Sequence, residues 1–351
     1  MDVTEIVLAG DTPGIEWRLP VHRFTGTSPG APSAYLQAAL HASELPGTAV
    51  LHMLLQKLRA AEDAGGILGD VTVVPQANPI GAAQWHFGEM QGRFDLRSRT
   101  NFNRDFPLIA LADRNGLLDG AERRDAVDCL KRRLLHMALG ADLVLDLHCD
   151  DESLNYAYID EAFWPEAADL AAAMAMDAVL LSDGESTAFE EAVGFAFKTR
   201  SAGTAAAVPG KLSVTLELRG TRDVSAGLAR DDADGLMRFL AMRGVLRGAP
   251  SSAAFSGPAM PLDHVDMIRA LEPGVVLFHR TVGDRVAEGD LLATIVTRPG
   301  FAEGDLEIRA ARAGLVVTRS SDRFVRRGGD LMKIACNERA TTQRKPGTLE
   351  D

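Results

Sequence analysis

The chain has 351 residues, 46% of them hydrophobic and 25% charged, and its formal net charge is -12. These values are typical of a folded globular protein with one large and one smaller domain, and they argue against nucleic acid as the main partner, which needs a basic face. Three scattered cysteines give no disulfide framework. We find no signal-peptide pattern and no apolar run of about 18 residues, so we expect a cytoplasmic protein with neither a nucleic-acid nor a membrane partner.

Predicted strands and helices alternate along the first two thirds of the chain. Strands are favoured by apolar or β-branched runs, and helices by apolar residues at helical spacing. In chain order the patterns predict a strand at 34–40, a helix at 48–62, a short β run at 71–81, a loop at 85–107, a helix at 121–139, an apolar run at 141–150, a helix at 165–181, a strand at 211–220 and a helix at 233–246. This alternation predicts an α/β fold with a mostly parallel sheet covered on both faces.

The composition changes around residues 248–261, where Gly, Pro, Ala and Ser are frequent, as in a linker. After it the helical patterns end, and short β-like runs such as GVVLFHRTV and GLVVTRS recur. Two turn segments, VGDRVAEGDLL and SDRFVRRGGDLM, resemble each other and indicate an internal duplication. We therefore predict a first domain at 1–250 and a small all-β domain at 258–340.

Three of the predicted strands end in side chains that can do chemistry, namely His41, His148 and Glu217. In parallel sheets, ligands lie beyond the carboxyl ends of the strands. Glu44 follows His41 by three residues across a tight turn, so an imidazole nitrogen and a carboxylate oxygen can converge on one ion, and zinc accepts both at about 2.0–2.2 Å. The alternative is a surface His beside a Glu at the start of a helix, and the patterns HFGE and HCDD have the same spacing.

Two carboxylates lie on these same strands. Asp146 precedes His148 by two residues and so points to the same side of the strand, where it can accept a hydrogen bond from a metal-binding imidazole. Glu217 interrupts an apolar strand, where an unpaired carboxylate is costly, and a hydrolytic metal site needs such a group as general base. The alternatives are an Asp146 paired with an arginine and an exposed Glu217 paired with Arg219.

The loop GRFDLRSRTNFNRDFP is rich in arginine and asparagine. A guanidinium grips a carboxylate at two points, and a neighbouring amide can fix its orientation. The alternative is a solvated loop whose arginines are compensated by Asp95 and Asp105. The candidate residues of this loop are Arg93, Arg97, Arg99, Asn101, Asn103 and Arg104.

The order of these motifs is more specific than any one of them. HASE follows the first strand, then come NP with a following Gly, NFNRDF, DLH and a strand that carries LE. This order resembles the succinylglutamate desuccinylase/aspartoacylase family, a branch of the zinc carboxypeptidase superfamily, over roughly residues 34–240. The resemblance implies a zinc-carboxypeptidase-like, mostly parallel mixed sheet flanked by helices, plus a small C-terminal all-β domain that narrows the active-site cleft.

The resemblance also implies the ligands of the cofactor, which is one Zn²⁺ per chain. His41, Glu44 and His148 match the three zinc ligands of the family. Asp146 would brace the site from behind a ligand imidazole.

Further matches concern the substrate and the catalytic step. Asn103 and Arg104 match the pair that binds the substrate carboxylate, and Glu217 matches the catalytic glutamate. An arginine upstream of that pair polarises the scissile carbonyl in the family. Arg93, within GRF, is favoured for that role over Arg97 and Arg99.

The resemblance implies a zinc-dependent hydrolase that cleaves the amide bond of a small N-acylated amino acid by metal-activated water. A zinc carboxypeptidase acting on peptides and a non-catalytic metal-binding scaffold are the alternatives, and a homo-oligomeric assembly is left open. The β domain also resembles a biotinyl or lipoyl domain, in which paired turns present a modifiable lysine. Because the intervening segment EIRAARAGLV has no lysine, we expect an unmodified structural domain.

Overall fold

The computed structural model describes residues 1–184, 186–201, 204–248 and 254–340. It confirms the predicted α/β class, with a large mixed sheet flanked by helices and followed by smaller antiparallel sheets. The strands of the first part are β1 (Asp2–Ala9), β2 (Glu16–Phe24), β3 (Ala34–Ala38), β4 (Val71–Val74), β5 (Trp85–His86), β6 (Glu89–Met90), β7 (Leu143–Asp150), β8 (Glu152–Ser153), β9 (Asn155–Asp160), β10 (Ala178–Ser182), β11 (Lys198–Ser201), β12 (Thr204–Ala207), β13 (Leu212–Gly220) and β14 (Ala259–Pro261). The helices are α1 (Pro46–Asp63), α2 (Pro79–Ala82), α3 (Ala126–Ala138), α4 (Ala168–Ala173), α5 (Phe189–Ala196) and α6 (Ala226–Met242).

The large sheet has the strand order β1-β2-β4-β3-β7-β13-β9-β10-β14. Its centre, β4-β3-β7-β13, is parallel, whereas β1, β2 and β9 join by antiparallel pairing. The carboxyl ends of β3, β7 and β13 therefore lie side by side at one edge. Polar residues that follow or end these strands must come close together there.

Helix α1 shows how the sequence covers this sheet. Its buried residues follow the spacing of one helical face, and each such side chain contributes about 2 kcal/mol when it leaves water. Pro46 lies in its first turn, where the missing N–H costs nothing. The buried aliphatic side chains are Val50, Leu51, Leu54, Leu55 and Leu58.

The prediction of one helix over 165–181 was wrong. Only Ala168–Ala173 is α-helical, and Ala178–Ser182 is strand β10, which pairs in parallel with β9. A short, fully buried apolar run fits a strand or a helix equally well by its periodicity, and here the place beside β9 decides. The helix predicted at 121–139 begins at Ala126, where Asp125 accepts a hydrogen bond from the backbone of Asp128.

Part of the predicted linker also forms regular structure. Within 248–261, residues 249–253 lie outside the described residues, and Ala259–Pro261 forms β14, which pairs in parallel with β10 in the large sheet. The strand pair β1 and β2 was not predicted. It extends the other edge of the sheet.

The second part of the chain is all β, as predicted. Its strands form the orders β15-β22-β20-β17 and β19-β18-β16-β21. They are β15 (Val265–Arg269), β16 (Gly274–Phe278), β17 (Arg285–Val286), β18 (Leu291–Val296), β19 (Asp305–Arg309), β20 (Gly314–Arg319), β21 (Phe324–Val325) and β22 (Asp330–Cys336).

The two resembling turn segments occupy equivalent places in this part. Strand β17 of the first repeat pairs with β20 of the second, and β21 of the second pairs with β16 of the first. A Cβ at Gly274 would lie 2.4 Å from a backbone oxygen of the adjoining strand, and one at Gly314 would lie 2.6 Å from another. Glycine is therefore required at the same point of both repeats.

The two parts of the chain pack against each other. One hydrophobic core extends from Leu8 to Leu246, and another lies within 270–336. A third cluster, which includes Tyr156 and Val317, joins them. Among the described residues, every helix is too short or too polar to cross a bilayer.

Candidate active site

The site begins at the turn that follows β3. Ala39 has a positive φ of 57°, which redirects the chain so that His41 and Glu44 lie before the start of α1. The Asn78 amide of the NP motif donates a hydrogen bond of 2.8 Å to the Leu40 carbonyl oxygen. The NP motif therefore fixes the backbone beside His41, although it is far from it in sequence.

Strand register brings the other two predicted residues to this turn. Ala38 at the end of β3 pairs with Leu147 of β7, so His148 lies next to the turn. On the other side of β7, His148 pairs with Glu217 of β13. Parallel pairing alone thus gathers His41, His148 and Glu217 at one edge of the sheet.

His41, Glu44 and His148 are all buried and form one cluster. Glu44 Oε1 lies 2.8 Å from His41 Nδ1, and Glu44 Oε2 lies 2.7 Å from His148 Nδ1. One donor atom from each of the three residues lies within 4.8 Å of the others. Two imidazole nitrogens and a carboxylate oxygen at this spacing are a donor set suited to zinc.

The outer nitrogens of both imidazoles bind oxygen acceptors. His41 Nε2 lies 2.8 Å from Asn101 Oδ1, and His148 Nε2 lies 2.9 Å from Asp146 Oδ2. Asn101 Oδ1 also accepts from the backbone of Asn103, which fixes its orientation. Since these oxygens only accept, each Nε2 carries hydrogen and each Nδ1 can offer its lone pair to a metal.

A chain of buried polar side chains holds Asp146. Gln37 donates to Asp146 Oδ1 at 3.0 Å, and Tyr35 donates to the Gln37 side chain at 2.8 Å. Asp146 is fully buried, so these bonds replace the water it has lost. The orientation of His148 is therefore fixed by the interior of the sheet.

The protonation of the cluster is governed by burial and by mutual contact. Burial lowers the pKa of His41, which favours the neutral imidazole that a metal needs. Burial would also lower the pKa of His148, but Asp146 and Glu44 outweigh it and hold that pKa well above its ordinary value. Burial would raise the pKa of Glu44, yet the two imidazoles hold it well below its ordinary value.

Of the three candidate arginines, only Arg93 reaches this cluster. Its guanidinium lies 3.3 Å from Glu44 Oε1 and 3.4 Å from His41 Nδ1. Gly92 allows this approach, because a Cβ there would lie 2.3 Å from the Ser43 nitrogen. Position 92 therefore has room only for glycine.

The other two arginines are exposed and do not line the cavity described below. Arg97 forms ion pairs with Asp11, Asp95 and Asp125 at 3.4–3.8 Å. Arg99 lies at the tip of the same loop, with a positive φ of 61°. Both fit the alternative of a solvated loop.

Asn103 and Arg104 follow Asn101, whose side chain contacts His41. Asn103 Oδ1 accepts a hydrogen bond of 2.7 Å from the Phe189 backbone at the start of α5. The Lys131 ammonium, on α3, donates to the Arg104 carbonyl oxygen at 2.7 Å and to that of Asn101 at 3.2 Å. This buried lysine, which no sequence motif indicated, holds the backbone of residues 101–104 in place.

One cavity of about 400 Å³ is lined by six of the residues described so far, namely His41, Glu44, Arg93, Asn103, Arg104 and His148. The second part of the chain contributes to its wall, with Arg319 from β20 and Lys333 from β22. Lys333 is almost fully buried and pairs with Asp150 at the end of β7. Asp150 also accepts a hydrogen bond of 2.8 Å from Tyr156.

Glu217 lies in the cavity wall, partly buried, next to His148. Its Oε2 atom is shielded from solvent and has no hydrogen-bond partner within the part of the chain that the structure describes. Burial raises its pKa to about 8, against the opposing effect of His148. A carboxyl group whose pKa lies near neutral pH can both take up a proton and release it again.

Two further carboxylates line the cavity at the start of α5, and sequence reasoning missed both. Glu191 accepts a hydrogen bond from the Ser186 backbone, and burial together with Glu190 raises its pKa to about 7. Glu190 Oε2 is shielded from solvent, and no described residue forms a hydrogen bond with it. Burial and the charge of Asp146 raise the pKa of Glu190, although His148 and Arg104 act in the opposite direction.

The chain is similar in sequence to a known protein family and to a named enzyme. The family model described as the succinylglutamate desuccinylase/aspartoacylase catalytic domain matches residues 30–243. A Halomonas elongata protein named N-alpha-acetyl-L-2,4-diaminobutyric acid deacetylase is 26% identical over 322 residues, which cover 87% of this chain and 82% of that protein.

Solved structures show the same fold. A protein of Shewanella amazonensis SB2B, described by the family name, is 24% identical, has a TM-score of 0.81, and the match covers 96% of this chain and 99% of that one. The product-bound structure of an ectoine utilization protein from Ruegeria pomeroyi is 23% identical, with a TM-score of 0.72 and coverage of 95% and 94%. Because the family model spans more than half of the chain, the resemblance read from the motifs is confirmed, and the protein belongs to the succinylglutamate desuccinylase/aspartoacylase family.

Proposed function

We propose that this protein is a zinc-dependent amidohydrolase that releases a carboxylic acid from a small N-acylated amino acid. The observation that carries the proposal is the convergence of His41, Glu44 and His148 within 4.8 Å, in the same cavity as Glu217. The alternatives for the separate residues, such as a surface histidine or a Glu217 paired with Arg219, do not account for this convergence. Arg219 instead pairs with Asp232.

The donor set fits one zinc ion. His41 and His148 would bind it through Nδ1, because each Nε2 already donates to an oxygen, and Glu44 would supply the third ligand. When bound, such an ion supplies Lewis-acid chemistry, by making water more acidic and drawing electrons from a carbonyl oxygen. Three protein ligands are typical of catalytic zinc sites, whereas structural sites use four.

The remaining steps fall to the side chains of this chain. Arg104, oriented by Asn103, binds the carboxylate of the substrate. Arg93 donates hydrogen bonds to the carbonyl oxygen of the scissile amide, where negative charge develops. Glu217 takes a proton from the attacking water and delivers it to the leaving nitrogen, so that it ends the cycle unchanged.

The size of the cavity supports a small substrate over a peptide. Its volume of about 400 Å³ lies at the lower end of small-ligand sites, and the second part of the chain forms part of its wall. We accordingly propose the division into a hydrolase domain at 1–250 and a β-rich domain at 258–340 that narrows the cleft. The name of the Halomonas elongata relative supports an N-acyl amino acid as the substrate class.

The test is metal analysis of the purified protein, followed by a turnover screen of N-acetyl, N-succinyl and N-formyl amino acids. We expect about one zinc per chain, loss of activity with a chelator, and recovery when zinc is returned. C-terminal trimming of peptides at comparable efficiency would favour the carboxypeptidase alternative. Bound zinc without hydrolysis of either substrate class would favour the non-catalytic scaffold.

A further inference from the structure

The second part of the chain contacts the first along segment 150–152, which begins two residues after His148. All three residues of this segment are acidic, and each of them binds a group of the second part. Lys333 of β22 donates to Asp150 Oδ2 at 2.5 Å, and Arg323 donates to Glu152 Oε1 at 2.8 Å. The first of these ion pairs lies in the wall of the substrate cavity, whereas the second is at the surface, because Arg323 is exposed.

Lys333 is buried, although a lysine rarely leaves water without a partner. Asp150 supplies that partner, and its Oδ2 atom also accepts a hydrogen bond of 2.8 Å from the Tyr156 hydroxyl. Tyr156 is itself fully buried. The lysine, the aspartate and the tyrosine thus form one connected group that joins β22 of the second part to β7 and β9 of the large sheet.

Glu217 lies on β13, between the two strands of the large sheet that this group joins. It is paired with His148 of β7 on one side and with Tyr156 of β9 on the other. Side chains of directly paired residues stand on the same face of a sheet, about 5 Å apart. Because Tyr156 on β9 binds Asp150 on β7, its side chain crosses β13 next to Glu217. The Tyr156 ring therefore limits the positions that the Glu217 carboxyl group can take.

The charge of Lys333 also acts on Glu217. Burial raises the pKa of Glu217, and Asp150 acts in the same direction, whereas His148 and Lys333 oppose them. Without the lysine, Asp150 would be an uncompensated negative charge in the cavity wall, and it would repel the Glu217 carboxylate. Lys333 cancels this charge, so the Glu217 carboxyl group is held by packing without a repulsive force that would displace it.

We propose that Lys333 is a positioning residue of the hydrolytic site, which fixes Asp150 and Tyr156 and, through them, the Glu217 carboxyl group. This inference rests on the proposed function, in which Glu217 is the general base. It gives the second part of the chain a role in the chemical step, beyond its contribution to the cavity wall.

The test compares Lys333→Met with the control Arg323→Met in steady-state hydrolysis of the N-acyl amino acid on which the wild type is most active. The control removes an ion pair between the same two parts of the chain but leaves the group around Lys333 intact. We expect Lys333→Met to lower kcat by about 10- to 100-fold, the effect of a displacement of about 1 Å at a reacting group. KM should stay within about threefold and zinc content at the wild-type level, because Arg104 and the three proposed zinc ligands are untouched. The control should keep kcat within about twofold.

Tyr156→Phe keeps the aromatic ring and loses only the hydroxyl, so it decides the matter if Lys333→Met does not fold. It should lower kcat by about 3- to 10-fold, the loss of one hydrogen bond, again with little change in KM. The double variant should lose no more than Lys333→Met alone, because both changes break the same group. A double loss equal to the product of the two single losses would contradict a common path to Glu217.

Unchanged kcat in both single variants, on a substrate that the wild type hydrolyses, would overturn the inference while leaving the hydrolase function intact. Loss of zinc, a rise in KM without a fall in kcat, or an equal loss in Arg323→Met would also overturn it. A zinc-loaded wild type that hydrolyses no N-acyl amino acid would contradict the proposed function, and the visible absorption spectrum of the cobalt-loaded protein then tests the inference separately. A spectrum that changes in Lys333→Met but not in Arg323→Met would uphold the positioning role of Lys333 at the metal site, and identical spectra would overturn it.

Discussion

Replacing Glu217 by Gln separates the catalytic role of this residue from its effect on stability. Gln has nearly the same shape as Glu, but it cannot accept a proton from water. The three proposed zinc ligands are unchanged. We therefore expect zinc content to stay at the wild-type level while kcat falls by about 10²- to 10⁴-fold, the range that a general base contributes.

The same substitution should stabilise the metal-free protein at high pH. The Glu217 pKa of about 8 compares with an ordinary value of 4.5, and this difference corresponds to roughly 5 kcal/mol. Because the side chain lies in the cavity wall and keeps some contact with water, we expect ionised Glu217 to lower the free energy of unfolding of the metal-free protein by about 2 kcal/mol. The folded protein holds the Glu217 proton more firmly than the unfolded chain does. The destabilisation by Glu217 is therefore absent below about pH 4.5, grows as the pH rises, and is complete above about pH 8.

The assay combines metal analysis, turnover and thermal unfolding of chelator-treated protein at pH 5 and pH 8.5. Glu217→Gln should unfold at a temperature a few degrees higher than wild type at pH 8.5, with little difference at pH 5. Glu122→Gln, at an exposed position, is the control and should match wild type in all three measurements. Wild-type turnover in Glu217→Gln would refute the catalytic role, and loss of zinc would show that the residue serves the metal site instead.

Three other substitutions test the surroundings of the site. Arg93→Lys should reduce kcat by 10-fold or more, because a single ammonium does not replace a guanidinium aimed at the carbonyl oxygen. The control Arg97→Lys should keep kcat within about twofold of wild type. Equal losses in the two variants would contradict a role of Arg93 in the mechanism. Asp146→Asn should weaken zinc binding by about 10- to 100-fold in chelator competition, and unchanged affinity would contradict its role behind the histidine. The pKa of Glu191 is raised to about 7, so this residue should destabilise the fold increasingly as the pH rises from about 4.5 to 7. In urea unfolding, Glu191→Gln should therefore be more stable than wild type by about 1–2 kcal/mol at pH 8, with no difference at pH 4.5. The reverse pH dependence would disprove this.

The positions of His41, His148 and Glu217 could be predicted because each breaks an apolar run at the same point of a parallel strand. Strand ends are marked locally in the sequence, and parallel pairing places like ends together. The choice among Arg93, Arg97 and Arg99 could not be settled from the residues, since all three lie in one loop. Arg93 reaches the cluster because the backbone of Gly92 packs against the turn that carries His41, and this contact has no local signal in the sequence.

Other elements lacked a local signal. The run at 178–182 is too short and too apolar for periodicity to separate a strand from a helix. Pro20 argues against a strand at 16–24, yet it is tolerated because β4 pairs only with the last three residues of β2. Glu190 could not be identified as a site residue, because its place beside Asn103 depends on a contact between segments 86 residues apart in sequence.

The charges around the cavity bear on the class of substrate. Among the described residues that line it, Asp and Glu outnumber Lys and Arg by seven to four. Arg93 already contacts Glu44, and Lys333 pairs with Asp150, so these cations offset acids of the wall. A substrate with two carboxylates would add negative charge to a region of low dielectric, where like charges repel strongly. A divalent cation at the histidines would instead offset the acids of the wall, so the electrostatics favour a substrate with a single carboxylate over a dicarboxylate.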